Sequence, residues 1–223
     1  MPSRQVPLVN EQIYHVFNRG VACAPIFSSK KTYQRFLLCV DYYRFLELPV
    51  KLSYLLSMSK DKREEILTDL KKKNKILVQI YGYCLMSNHF HLLIKQSYEN
   101  GISQFMRKAS NSYSSYYNLL HERQGSLFQG VFKAVRIETD EQLLHVSRYV
   151  HINSYVGHLT SREGLFSYPW SSLPFYLNKA ENNFVSKNPM VANFSSEEEY
   201  RHFLLDEADY LRSKKQLAHL FLD

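Results

Sequence analysis

The chain has 223 residues, 45% of them hydrophobic and 22% charged, the balance of an ordinary globular protein with room for one large domain or a domain with an appendage. A net charge of +7 and a pI near 9.2 favour an anionic partner, nucleic acid before a membrane surface. No apolar run reaches the length of a membrane span, Met1-Pro2-Ser3-Arg4-Gln5 lacks a signal-type apolar core, and Cys23, Cys39 and Cys84 form neither a zinc pattern nor a disulfide framework, so a reducing cytosol is expected. The 17 Tyr and 14 Phe suit a wet surface that also stacks on bases, and equally an AT-rich coding sequence.

Tyr14-His15-Val16-Phe17 reads as a first strand ending in the turn signal Asn18-Arg19-Gly20. Ser29 to Leu46 has apolar residues at helical spacing, with Ser28 or Ser29 as N-cap and Pro49 as the stop. Residues 50–75, ending in Lys71-Lys72-Lys73-Asn74-Lys75, read as a charged helical insertion over a short apolar stripe of Ile66, Leu67 and Leu70. Ile76 to Met86 is a strand by its β-branched and aromatic content, Ser87-Asn88 turns, and His89 to Lys95 pairs back as a hairpin. Residues 101–121 form a helix with Ile102, Phe105, Met106 and Ala109 on one stripe. A loop and strand follow over Gly125 to Ile137. Thr139-Asp140-Glu141-Gln142 then has capping-box form, with Gln142 reaching back to the Thr139 amide, and opens a helix to about Tyr155 with Gly157 past its end. Pro169, Pro174 and Pro189 punctuate an irregular stretch. A last helix starts near Ser195 or Ser196, with Glu197 to Glu199 at its positive end and Lys214-Lys215 later. This order predicts an α+β fold, an antiparallel sheet with helices on one face.

The chemistry centres on His89-Phe90-His91. On a strand the two imidazoles share a face while Phe90, Leu92 and Ile94 point the other way, which offers two nitrogen ligands on one rigid surface. Taken alone, such a pair is more often structural than ligating. Tyr149 and Asn153, four apart, share a face of the helix after Thr139, with His145 one turn earlier. His145 and His151 read as surface or supporting residues rather than ligands, and His15, on the first strand, as a packing residue before a neighbour of the site.

His89-Phe90-His91 after Ser87-Asn88, followed by Arg148-Tyr149-Val150-His151-Ile152-Asn153, resembles the single-tyrosine HUH transposases, most closely the REP-associated tyrosine transposases and their insertion-sequence relatives. Tyr14 to Gly20, Gly125-Ser126-Leu127-Phe128-Gln129 and Tyr168-Pro169-Trp170-Ser171-Ser172 are similar to further family segments, so the resemblance runs from about residue 10 to 177. It implies a ferredoxin-like, RRM-like catalytic domain over 1–177, interrupted by the basic insertion at about 50–75, and a helical extension over 178–223. It implies metal-dependent nicking and strand transfer on single-stranded or hairpin DNA through a 5′-phosphotyrosine. Tyr149 matches the nucleophile, and His89, His91 and Asn153 match the ligands of a divalent metal, Mg2+ or Mn2+. Two features depart from the family: Asn153-Ser154 stands where the family usually has Asn-Pro, and the insertion is absent from compact forms.

The residue types suit that chemistry. A tyrosine is a poor nucleophile at neutral pH, and a cation on the scissile phosphate withdraws charge and aligns the leaving oxygen. Arg19, Arg107, Lys108, Tyr113, Gln129, Lys133 and Arg148 are expected to bind the nucleic acid, by phosphate contact and base stacking. A bacterial, cytoplasmic, nucleoid-associated protein is expected, with a homodimer left open and no membrane partner. The alternative is a catalytically lapsed DNA-hairpin-binding protein of transposase descent.

Overall fold

The computed structural model describes residues 7–181, 184–187 and 194–213; Met1 to Gln5, Pro189 and Lys214-Lys215 lie outside them. The chain folds into four strands, β1 (Ile13–Arg19), β2 (Val78–Leu85), β3 (His89–Gln96) and β4 (Lys133–Ile137), in one antiparallel-paired sheet of order β2-β3-β1-β4. With α1 (Lys30–Tyr43) between β1 and β2 and α4 (Gly101–Leu120) between β3 and β4, the plan is ferredoxin-like α+β. Alternation along β3 sorts the layers. Phe90, Leu92 and Ile94 enter the main core with Phe36 of α1 and Phe105 of α4, while Leu93 packs on the other face with Leu143 of α5 (Asp140–Val156). The sheet therefore separates the α1–α4 layer from α5.

Local chemistry sets most boundaries. The Ser29 hydroxyl caps α1 by accepting from the Thr32 amide. α1 ends at Tyr43, well before Pro49, because the chain there turns to pair: Leu77 donates to the Arg44 carbonyl and Leu46 to that of Lys75. The insertion forms two helices, α2 (Leu52–Ser57) and α3 (Lys60–Lys73), split where the Ser59 side chain caps α3; Leu70 is its buried anchor. At the first turn, a Cβ on Gly20 would stand 2.2 Å from the Ala24 carbonyl oxygen, so only glycine lets β1 bend this tightly.

The Thr139 hydroxyl caps α5 through the Gln142 amide at 3.1 Å. The Gln142 side chain accepts from the Glu138 amide at 2.8 Å, one residue before the expected partner, because Thr139 is already extended. Ser154 lets the helix run on to Val156, and Gly157 closes it by donating to the Asn153 carbonyl.

A short α6 (Leu173–Tyr176) and α7 (Glu197–Leu205) complete the described structure. α7 is capped by Ser196, whose hydroxyl accepts from Glu199 at 3.1 Å. It braces the far side of α5. The buried His151 links Tyr200 (2.7 Å from Nδ1) to Ser172 (2.9 Å from Nε2), and Arg148 reaches Glu207 at 3.0 Å. No helix among the described residues is long and apolar enough to cross a membrane.

Candidate active site

β3 carries His89 and His91 on the α5 side of the sheet, with ring centroids 5.0 Å apart and the planes nearly perpendicular. Cross-strand pairing puts Phe17 beside His91 and Arg19 beside His89. α5 runs along this face, from Leu143 over Leu93 to Val150 over Cys84 and Met86. Tyr149 is thereby brought to the histidines. Its ring stands edge-on to His91 at 5.3 Å and to His15 at 5.8 Å, and 41% of the residue remains exposed. One turn on, Asn153 is buried, and its Oδ1 has no hydrogen-bond partner among the described residues. A buried amide oxygen left so costs free energy unless something outside the chain engages it.

Two side chains that sequence reasoning treated as turn and packing residues orient the imidazoles. Asn88 donates to the Cys23 carbonyl at 3.1 Å, which fixes its amide, and its Oδ1 lies 2.6 Å from His89 Nδ1. His89 therefore keeps its proton on Nδ1 and the lone pair on Nε2. His15 Nε2 lies 2.9 Å from His91 Nδ1, and the rings stack at 5.1 Å. Burial pushes the His15 pKa down to about 4, so at neutral pH these two rings share a single bridging proton. The only signal for His15 in the sequence is its place two residues from Phe17 and four from Arg19 on a period-two strand, and the cross-strand register is needed to read it.

Beside His89 opens a cavity of about 670 Å³ that reaches Arg19, Gln129 and Lys133 on one side and Gly157 on the other. Arg19 Nε donates to Gln129 Oε1 at 2.5 Å, which joins the end of β1 to the loop before β4. Three of the seven expected nucleic-acid residues thus line one opening next to the histidines.

The other four lie elsewhere. Tyr113 has no exposed surface and donates its hydroxyl to the Ile26 carbonyl inside the core, so it has no face for a base. Arg148 is 5% exposed, and its guanidinium is taken up by Glu207, the Phe203 carbonyl and His145, with the Phe203 ring beneath it. Both correct the expectation of nucleic-acid contact: residue type suggests it, but each side chain is already covered. Arg107 and Lys108 lie on α4, in the layer across the sheet from Tyr149. His145 is half-exposed, and His151 is fully buried with its pKa pushed down to about 3 by burial.

The donor set suits a divalent cation in kind. Two imidazoles with their Nδ1 atoms engaged and one amide oxygen without a partner among the described residues offer mixed nitrogen and oxygen ligation with room for phosphate oxygen and water. Among the described residues no group of three or more His, Cys, Asp and Glu could hold a metal, so such a site depends on Asn153.

Residues 51–153 match the model of the family described as Transposase IS200 like. No curated protein matches the chain. Among solved structures, that of a REP-associated tyrosine transposase bound to a REP hairpin is similar in fold, with a TM-score of 0.55 at 11% identity, covering 88% of this chain and 96% of that one. The matched segment, a little under half of the chain, holds the insertion, the histidine hairpin, α4, β4 and α5 up to Asn153, and over it the chain is similar to the IS200-like transposases.

Proposed function

We propose that this chain is a transposase that cuts and rejoins single-stranded DNA beside a hairpin, with Tyr149 as nucleophile and a divalent cation, Mn2+ or Mg2+, held by His89, His91 and Asn153. One observation carries the reading: the half-exposed Tyr149 ring packs against His91 at 5.3 Å, on the helix whose next turn presents the partnerless Asn153 oxygen. The hairpin is inferred from the similar structure, which holds one.

When bound, the cation would draw charge from the scissile phosphate and favour departure of the 3′ oxygen. The chain's own residues do the rest. The Tyr149 phenol oxygen forms a bond to phosphorus as the bond from phosphorus to the 3′ oxygen breaks. The phenol proton leaves to water, to which the ring is open, and the 3′ oxygen takes up a proton from water. A 5′-phosphotyrosine results. It conserves a phosphodiester, so a DNA 3′-hydroxyl reverses the step and joins strands. Arg19 and Lys133 would hold phosphates of the flanking strand in the cavity beside His89, with Gln129 fixing Arg19. Residues 1–177 would form the catalytic unit and 178–223 the brace behind α5.

The test is incubation with hairpin-flanked single strands and Mn2+, followed by denaturing electrophoresis. A covalent protein–DNA adduct that vanishes in Tyr149→Phe supports the reading. Binding without adduct would instead identify a hairpin-binding protein whose catalysis has lapsed.

A further inference from the structure

A second groove, of about 1370 Å³, lies between the insertion and the α1–α4 layer, across the sheet from Tyr149. We propose that it binds the phosphate backbone of a DNA segment distinct from the one at the tyrosine. The proposal rests on the reading above for its partner, DNA, and for Tyr149 as the place of the cut.

Charge is the first ground. Arg35 of α1, Lys51 ahead of α2, and Arg107 and Lys108 of α4 all line the groove. None of the four has a carboxylate within ion-pair distance among the described residues. The acidic groups nearby are already committed, Asp69 to Lys73 at 2.8 Å and Glu47 to Lys75 at 2.9 Å. With Lys73, five cations thus line the groove against two carboxylates, Glu47 and Asp69, and burial together with the neighbouring Arg107 charge lowers the Lys108 pKa. An anion in the groove would relieve that crowding.

Hydrogen bonding is the second ground. Arg35 Nε is buried and has no acceptor among the described residues, although the guanidinium is held over the Tyr116 ring at 4.9 Å. A planar donor locked on an aromatic face with an unsatisfied N–H suits a phosphate oxygen.

Extent decides the class of ligand. The cations come from three separate elements along an open groove larger than a small-molecule pocket of about 300–1000 Å³. A run of phosphodiesters meets such a row one charge at a time, which a free phosphate does not. A strand serving both this groove and the tyrosine would have to run about 20 Å, the thickness of two packed layers. The groove therefore engages the longer DNA that carries the cut site rather than the nucleotides being cut.

The experiment compares DNA binding by the unaltered chain, Arg107→Ala/Lys108→Ala and the control Lys71→Ala/Lys72→Ala, whose lysines are exposed on α3 outside the groove. Affinity for a long hairpin-bearing strand and for a short single strand is measured by fluorescence anisotropy across a salt series. The groove variant should bind the long strand at least about tenfold more weakly, with the log affinity–log salt slope reduced by about 2, and the short strand should change much less. The lysine control should show a smaller loss. Equal losses in both variants, or no change in the slope, would overturn the proposal. So would tripolyphosphate binding that depends on Arg107 and Lys108 while long DNA binds all three proteins alike. Every readout is binding, so a missing covalent adduct bears on Tyr149 and leaves this result standing.

Discussion

His15 Nε2 lies 2.9 Å from His91 Nδ1, joining the first strand of the sheet to the third at the centre of the candidate site. One proton bridges the two rings. When it resides on His91 Nδ1, His91 Nε2 has a lone pair to offer a metal, and His15 is the acceptor that selects this form.

His15→Phe should therefore weaken Mn2+ binding by about 10- to 100-fold, the usual cost of removing a partner behind a ligating histidine. His15→Gln, whose side-chain oxygen can accept the same proton, should recover part of the loss. Titration of Mn2+ by electron paramagnetic resonance reads this without DNA. Equal affinity in all three proteins would remove His15 from the site.

Asn153 should behave unlike an ordinary buried amide. Its Oδ1 makes no hydrogen bond within the described chain, so Asn153→Ala gives up little there, and metal-free stability should fall by less than about 1 kcal/mol. The rise in melting temperature on adding Mn2+ should disappear in the same variant, because ligand binding stabilises only a state that can bind it. Thermal scans with and without Mn2+ decide both points. An Mn2+-induced rise as large in the variant as in the unaltered chain would remove Asn153 from the ligand set.

The hydrophobic alternation around His89 and the spacing of Tyr149 and Asn153 are legible in one dimension, because a strand and a helix each fix which neighbours share a face. The α+β order of elements follows from the same periodicities, while its ferredoxin-like form is implied by the family resemblance. What linear pattern leaves out is coverage. Tyr113 and Arg148 have the composition of nucleic-acid contacts, yet one is inside the core and the other beneath α7. Arg107 and Lys108 are basic as expected but sit across the sheet, since nothing in local spacing says which side α4 will take. The role of His15 is hidden for the converse reason: its partner is 76 residues away and adjacent only through sheet register.

Arg148→Ala should loosen α7. The substitution removes a buried guanidinium that ties Glu207 and the Phe203 carbonyl to α5, and should cost about 1–3 kcal/mol in urea unfolding. Hydrogen exchange should quicken first within Glu197–Leu205. Unchanged protection there would mean that α7 is held by its apolar contacts alone.

Acid should destabilise the fold before any carboxylate titrates. His151 is buried in neutral form with its pKa lowered to about 3, whereas in the unfolded chain it titrates near 6.5. Between those values the unfolded state holds the extra proton, so stability is full above pH 6.5 and falls as pH drops towards 3, by about 2 kcal/mol from this group between pH 6.5 and 5. His15, lowered to about 4, acts in the same direction. Urea unfolding at pH 7.5 and 5 should show the loss, and His151→Gln should reduce it. A pH-independent midpoint in the unaltered chain would contradict the assignment.

The polar fastening behind the tyrosine helix has one more consequence. Arg148 to Glu207, His151 to Tyr200, Tyr155 to Asp209 at 2.6 Å and Arg212 to the carbonyls of Tyr155 and Thr160 all tie α5 to the tail of its own chain. α5 and the tail are therefore fastened as one unit, and an exchange with a second copy would have to carry both together rather than the helix alone.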